Sequence, residues 1–331
     1  MADYGAQVAD QAIADLAKQV RKIYEQAAKE LQAKLDSFVK RHKAADLKKQ
    51  AALAAGEITK AQYDLWMTGQ VFQKRQWQAK VDQAARIMHN ANKTAKDIVQ
   101  KGRFSVFAEN YNYSAFRAEK HFGLNLNFNI FSTDTVSRLI NGFPKLLPEW
   151  KIDKAKDYVW NYQKIKNSII QSIIQGEGVE KAVKRLINDL VTQNWNRMRT
   201  FIRTAITGAQ NAGRQKQMED AEKMGIQGKK HWLATLDDRT RDTHQELDGQ
   251  EVPIKEPFKV KVKGKIEEIM APGDPNALPC LVYNCRCTMF EVYEGIDRTS
   301  IRRDMDGNMI KNMNYKQWKA WKEGKGDGKG Q

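Results

Sequence analysis

Three cysteines and one histidine provide the clearest candidate chemistry in this sequence. Cys280, Cys285 and Cys287 are the only cysteines of the chain and fall within eight residues, while His244 lies on a separate segment that could fold back onto them. Three thiolates and one imidazole would form a closed tetrahedral Cys₃His zinc site, and such a cross-link stabilises a small, loop-rich unit. A fully liganded ion leaves no position for water, so the predicted role of zinc is structural.

The spacing of these cysteines leaves a second interpretation open. Paired C-x-x-C motifs are missing, and C-x-C is a less common ligand spacing in zinc sites. In this alternative the cysteines are ordinary free thiols near a subdomain core, and His244 is a hydrogen-bonding turn residue. An odd, clustered set of cysteines argues against a disulfide framework in either case.

The elements that would position these residues lie between 229 and 297, where the composition changes. Five of the seven prolines fall between Pro253 and Pro279. WLATLD alternates like a strand, DRTRDTH fits a short helix, and LDGQ is a turn signal. FKVKVK, Gly264 and the residues from Ile266 to Met270 predict a β-hairpin, followed by a rigid APGDPNALP loop and a last strand at 289–293. This segment is therefore predicted to be a small β-rich subdomain.

Four lysines give one face of the predicted hairpin a positive charge: Lys259, Lys261, Lys263 and Lys265. They could contact nucleic-acid phosphates without reading base sequence. Alternatively, they guard an exposed edge strand against aggregation, and both interpretations can hold together.

Acidic residues near His244 could support catalysis, namely Asp237, Asp238, Asp242 and Glu246, with Cys285 as a nucleophile. No spacing among them defines a catalytic dyad, and the chain contains no P-loop, dinucleotide-binding glycine pattern or HExxH motif. The Asp238 to Arg241 stretch fits an ion-paired, capped turn equally well. We therefore predict that the protein is not an enzyme.

The rest of the chain is rich in lysine, poor in proline and predominantly helical by pattern. Apolar residues recur at steps of three and four from residue 6 to about 47, which predicts one long helix. A second helix is predicted to begin after the N-cap Thr59. Further helices are predicted at 71–99, 133–141, 152–175, 179–190 and 195–224. The aromatic, Asn-rich stretch 104–133 has no clean period and predicts an irregular connector. The predicted fold class is α+β, mostly α, with a long helical N-terminal body before the Cys/His subdomain.

Four consecutive regions follow from these patterns. They are a helical N-terminal region with the connector (1–130), a helical middle domain (131–228), the β-rich subdomain (229–297) and a basic, partly disordered tail (298–331). The net charge of +16 favours a polyanionic partner. The sequence has no run of 18 apolar residues and no secretory signal pattern, so we expect no membrane association.

A set of motifs together resembles the phage Mu F-like head morphogenesis proteins, which include the SPP1-type minor head proteins. It comprises W-x-A-T-x-D-x-R-T-R-x-x-H-x-x-L-D-G from Trp232 to Gly249, Pro257-Phe258, P-G-D-P from Pro272 to Pro275, N-C-R-C from Asn284 to Cys287, and the preceding RTAITGAQNAGR. The resemblance covers about residues 190–297. Besides His244, Cys285 and Cys287, it carries over these positions as motif residues: Trp232, Asp238, Arg239, Thr240, Arg241, Asp248, Gly249, Asn284 and Arg286.

The resemblance implies a minor head protein of a tailed bacteriophage, present in few copies and acting in procapsid morphogenesis at the portal vertex. The implied partners are the portal protein, the major capsid or scaffolding protein, and the double-stranded genomic DNA that it would contact or help to eject. The implied location is the virion, in the capsid interior or at the portal vertex, after assembly in the host cytoplasm. Two other hypotheses stay open: a free nucleic-acid-binding protein and a metal-dependent hydrolase.

Overall fold

The computed structural model describes residues 3–72, 75–142, 146–148, 154–175, 177–235, 237, 239–293, 302–303, 309–310 and 315–325. Its helices are α1 (Tyr4–Ala54), α2 (Lys60–Phe72), α3 (Arg75–Phe122), α4 (Thr133–Gly142), α5 (Lys154–Ile174), α6 (Val179–Lys223), α7 (Asp242–Leu247), α8 (Pro279–Val282) and α9 (Tyr315–Lys322). Its strands are β1 (Gly228–Leu233), β2 (Glu251–Pro253), β3 (Phe258–Val262), β4 (Lys265–Ile269), β5 (Thr288–Tyr293), β6 (Arg302–Arg303) and β7 (Met309–Ile310). The predicted fold class, mostly helical with a small antiparallel-sheet region near the C-terminus, is confirmed.

The chain divides into two compact units, and neither is one continuous segment. The first comprises Met1–Leu16, Val99–Glu149 and Thr200–Gln331, and the second comprises Ala17–Ile98 and Trp150–Arg199. The four predicted regions, in contrast, follow one another along the sequence. No helix in the described part of the chain is both long enough and apolar enough to span a membrane.

The second unit is helical and contains a buried polar network within its apolar core. Asn92 accepts a hydrogen bond from the Tyr24 hydroxyl at 2.6 Å and donates to Asp157 and to Asn194. The Asp157 carboxylate also contacts His89 Nδ1 at 3.0 Å. Because buried polar groups are costly unless they are hydrogen-bonded, this network selects one packing of the helices in this unit.

The start of α2 follows the prediction from its capping residue. Gln62 N donates to Thr59 Oγ1 at 3.2 Å, and Thr59 N donates to Gln62 Oε1 at 2.8 Å. These reciprocal bonds form a capping box, which satisfies two amides that have no partner inside the helix. The predicted N-cap at Thr59 is therefore confirmed.

The predicted irregular connector from residue 104 is wrong up to Phe122, since α3 continues through it. This part of the helix is buried on several sides, so no single apolar stripe shows in the sequence. Its asparagines find partners in the fold: Asn110 donates to Gly5 O at 3.3 Å, and Asn112 exchanges hydrogen bonds with the backbone of Phe131. Tertiary contacts therefore compensate for the low helix propensity of Asn.

The two helices predicted at 179–190 and 195–224 form the single helix α6. Asn194, where the sequence pattern breaks, is buried within the second unit. Its side chain donates to Leu190 O one turn earlier and to Asn161 Oδ1, each at 2.8 Å. A polar residue that is fully bonded in this way does not end the helix.

The first unit contains the sheets of the C-terminal subdomain. Strand β1 pairs antiparallel with β2 on one side and β5 on the other, whereas β3 and β4 form the predicted hairpin. The core between them includes Trp232, Phe258, Leu281 and Met289, packed with Met218 of α6. The predicted turn is confirmed, because Lys263 and Gly264 both have positive φ angles, as a tight hairpin turn requires.

Part of the predicted tail is ordered as α9. Trp318 is buried against Phe116, with ring centroids 5.7 Å apart, and its indole N–H donates to Glu119 Oε2 at 2.5 Å. Disorder was predicted for the last nine residues, 323–331. Residues 323–325 instead form a turn on the end of α9, in which Gly324 N donates to Trp321 O at 3.0 Å. Residues 326–331 lie outside the described residues.

Candidate metal centre

His244 and the two closely spaced cysteines come from different elements and meet in the C-terminal subdomain. His244 lies in the short helix α7, whose first turn is closed by a hydrogen bond from His244 N to Arg241 O at 2.8 Å. Cys285 and Cys287 lie on the turn between α8 and β5. All three side chains are buried, with at most 3% of their surface exposed.

The donor atoms of these residues lie close enough to share one ion. The His244 Nδ1 atom is 3.2 Å from Cys287 Sγ and 3.6 Å from Cys285 Sγ. The ligand atoms of all three residues lie within 4.8 Å of one another. Within the described residues, His244 Nε2 is buried without a hydrogen-bond partner. Two thiols and an imidazole fit three of the four positions of a tetrahedral zinc ion.

The ionisation of the thiols also fits metal binding. A hydrogen bond from Cys285, together with the neighbouring His244, holds the pKa of Cys287 below its ordinary value. The same bond, together with burial, raises the pKa of Cys285. One thiol of the pair is therefore readily ionised, and the thiolate is the form that binds a metal. Metal binding would favour the second ionisation as well.

The fourth predicted ligand, Cys280, is not brought together with the other three. It lies in α8 and is exposed, whereas Cys285 and Cys287 are buried. The described residues thus present a three-residue ligand set in place of the predicted closed Cys₃His set. A three-residue set leaves one coordination position for a ligand from outside the group.

The turn that carries the cysteines is held by one face of α6. Thr207 Oγ1 donates to Cys285 O at 3.0 Å, and Asn211 Nδ2 donates to Cys287 O at 3.3 Å. Thr204 Oγ1 accepts a hydrogen bond from Asn284 N at 2.9 Å, and Asn284 adopts a left-handed φ of 58° that Asn tolerates. The sequence interpretation missed these α6 residues, although their three- and four-residue spacing within RTAITGAQNAGR was a signal.

Several motif residues brace the loops around the cysteines. Asp248 Oδ1 accepts a hydrogen bond from Ala234 N at 2.7 Å, and Gly249 N donates to Trp232 O at 2.9 Å. Gly249 has a φ of 78°, a backbone conformation that is unfavourable for residues with a side chain. The Trp232 ring lies edge-on to His244, with centroids 6.1 Å apart. These contacts join the end of α7 to β1.

A second set of motif residues forms an ion-paired turn. Arg286 forms two N–H···O contacts with the Asp237 carboxylate, which hold the pKa of Asp237 well below its usual range. Arg239 N donates to Asp237 Oδ1 at 3.0 Å, and Asp237 N donates to Thr240 Oγ1 at 3.2 Å. The Arg241 guanidinium donates to Tyr283 O. Asp238, another predicted motif residue, lies outside the described residues.

The hairpin lysines do not share one face. Lys259 and Lys261 alternate with buried residues of β3 and are exposed, and Lys259 lies 4.0 Å from Glu268 across the hairpin. Lys263 occupies the turn, and Lys265 pairs with Val262, which places it on the opposite face from Lys261. All four are exposed, so their predicted contact with nucleic acid stays a prediction.

Comparisons with known proteins identify relatives of the chain. Residues 163–290 match the family described as Phage Mu protein F like protein. The chain is 30% identical to Minor head protein GP7 of Bacillus phage SPP1 over 229 residues, which cover 66% of this chain and 69% of that protein.

A second relative has a different name. The chain is 35% identical over 162 residues to NAD(+)--arginine ADP-ribosyltransferase EFV of Enterococcus faecalis. That match covers 48% of this chain and 31% of the enterococcal protein. This chain therefore spans less than a third of the length of that relative. No solved structure matches the chain. The extended similarity to the SPP1 protein and the family match over the Cys/His subdomain show that the chain belongs to the phage Mu F-like minor head protein family.

Proposed function

We propose that this protein is a minor head protein that acts in procapsid morphogenesis at the portal vertex of a tailed bacteriophage. The 229-residue similarity to Minor head protein GP7 carries this proposal. The proposed partners are the portal protein, the major capsid or scaffolding protein, and the packaged double-stranded DNA. The protein assembles in the host cytoplasm and resides in the virion, in the capsid interior or at the portal vertex.

The charge and the exposed side chains support contacts of this kind. The net charge of +16 favours attraction to DNA phosphates, and such attraction needs no base-specific contact. Large apolar side chains are exposed on helices of the second unit: Leu47, Leu65, Val159 and Ile174. Exposed apolar residues on long helices suit docking against another protein.

The proposed role is structural, not enzymatic. Asp237, one of the carboxylates considered for catalysis, is bound by Arg286, which suits bracing of the turn better than proton transfer. The transferase activity in the name of the enterococcal relative belongs to that protein, of which this chain spans 31%. We therefore assign the shared region to assembly and not to ADP-ribosyl transfer.

The proposed cofactor is one zinc ion held by His244, Cys285 and Cys287, with its fourth position filled by a ligand from outside this group. Its proposed role is structural, because it cross-links the subdomain. These residues join α7 to the turn before β5, two elements separated by about 40 residues of chain. A metal that binds only the folded subdomain stabilises it, because the unfolded chain holds no preformed ligand set.

The test is to locate the protein in particles from infected cells. Lysates are sedimented, and empty and DNA-filled heads are analysed by mass spectrometry, in parallel with lysates of a phage that lacks this gene. We expect the protein in both kinds of head, and we expect fewer infectious particles without it. Recovery of the protein only from the soluble fraction would reject the head assignment and favour the free nucleic-acid-binding protein.

A further inference from the structure

A small pocket adjoins the candidate metal centre. It has a volume of about 80 Å³, and its lining includes four arginines, Arg203, Arg239, Arg241 and Arg286, together with the buried His244. Pockets that hold drug-sized ligands measure about 300–1,000 Å³, so this pocket suits a smaller group. Arg239 and Arg241 are exposed at its rim, whereas the His244 and cysteine side chains are buried.

The pocket is cationic. Arg286 and Arg239 both pair with the single carboxylate of Asp237, at 3.4 Å in the case of Arg239. Arg241 donates to the backbone carbonyl of Tyr283, which carries no formal charge. Among the described residues, one carboxylate thus forms ion pairs with two guanidinium groups, and a third guanidinium bonds to a neutral acceptor. Such a surplus of positive charge around a small volume attracts an anion.

Two features of the lining select for phosphate among anions. Guanidinium groups present planar N–H forks that match two oxygens of one phosphate, and arginine is favoured wherever such recognition occurs. The buried Nε2 of His244 has no hydrogen-bond partner in the described structure, while Nδ1 faces the thiols. A phosphate monoester offers oxygen acceptors and, near neutral pH, also a P–O–H donor, so it can bond to Nε2 in either tautomer of His244.

We infer that this arginine pocket binds a phosphate monoester group, either free inorganic phosphate or the terminal phosphate of a DNA strand. A phosphate monoester carries a charge of about −1.5 to −2 near neutral pH, whereas an internal phosphodiester carries a single negative charge, so the guanidinium groups attract the monoester more strongly. The inference does not depend on the proposed head function, because binding by the purified full chain is independent of incorporation into particles.

The test is calorimetric titration of the purified full chain, with its zinc content measured, at constant ionic strength. Three probes are compared: inorganic phosphate, a short oligonucleotide with a 5′-phosphate, and the same oligonucleotide with a 5′-hydroxyl. The test variant is Arg239→Gln with Arg241→Gln, and a matched control removes two exposed charges elsewhere in the same unit, Lys101→Gln with Lys120→Gln. Circular dichroism establishes that both variants are folded.

We expect the wild-type chain to bind phosphate. The affinity of the double arginine variant for phosphate should be lower by about tenfold or more. The affinity of the lysine control should stay within about twofold of the wild-type value. Preference for the 5′-phosphate over the 5′-hydroxyl oligonucleotide would identify DNA ends as a source of the ligand. Binding of inorganic phosphate alone would identify free phosphate. Absence of phosphate binding, or binding unaffected by loss of both arginines, would overturn the inference.

Discussion

Single side chains decide whether the subdomain holds a metal. We expect Cys285→Ser, Cys287→Ser and His244→Ala each to lower zinc affinity by more than about 100-fold, because each removes a direct ligand. The melting temperature should fall with the loss of zinc. Zinc content after dialysis and thermal unfolding measure both effects.

Cys280→Ser is the matched control for these ligand variants. Its thiol is exposed and outside the group, so the variant should retain zinc and melt like the wild type. Loss of zinc in Cys280→Ser would restore the closed Cys₃His site predicted from the sequence. Wild-type protein without zinc, and with stability unchanged by Cys285→Ser, would reject the metal proposal.

The buried Lys230 should make the free energy of unfolding depend on pH, and the substitution Lys230→Met should remove that dependence. Burial lowers the pKa of Lys230 to about 8, although its ammonium donates to Met270 O at 2.8 Å. The unfolded chain therefore binds the proton more tightly, so this residue makes the free energy of unfolding rise as the pH increases from about 8 to about 10.5. The rise is at most about 3 kcal/mol.

The comparison uses Lys230→Met and, as control, Lys229→Met. Residue 229 is the exposed neighbour in the same strand, so its loss should leave the pH profile close to that of the wild type. Urea unfolding at several pH values measures the effect. A Lys230→Met protein whose stability rises with pH as steeply as the wild type would contradict the assigned cause.

At the scale of elements, the approach of α6 to α3 depends on Gly213. A Cβ atom at this position would lie 2.4 Å from Phe107 O, a backbone atom that cannot move alone. We expect Gly213→Ala to lower the free energy of unfolding by about 1–3 kcal/mol, in spite of the better helix propensity of Ala. Denaturant unfolding of the full chain measures this change.

Gly142→Ala is the matched substitution at the end of another helix, α4. No atom of the described residues lies within 4 Å of the added Cβ, so we expect a change within about 0.5 kcal/mol. If both variants lost the same stability, the close approach of α6 to α3 would not be the reason.

At the scale of the whole molecule, the charge of +16 predicts binding to DNA that weakens steeply with salt. Each phosphate contact contributes about 0.9 to the slope of the logarithm of affinity against the logarithm of salt concentration. If Lys259 and Lys261 contact phosphates, replacing both with Gln should lower that slope by about 2. Fluorescence anisotropy at several salt concentrations measures it, and an unchanged slope would assign these lysines to protection of the hairpin.

The sequence by itself determined features that depend on neighbouring residues. The alternation from Phe258 and the turn at Gly264 specified the hairpin, because strand period and turn chemistry are local properties. Thr59 specified the start of α2, since its capping box closes within four residues. The motif set indicated the phage head family, which the comparisons confirm.

Only the tertiary structure decided which candidate ligands meet and where polar helices continue. Cys280 and Cys285 are five residues apart, yet one is exposed and the other buried, because the bonds from α6 hold only the turn with the later cysteines. Residues 104–122 are helical because distant backbone groups satisfy their asparagines. The side chains of Lys265 and Lys261 lie on opposite faces of the hairpin, because the turn sets the register in which Lys265 pairs with Val262. Each outcome depends on partners far away in the chain, which local patterns do not encode.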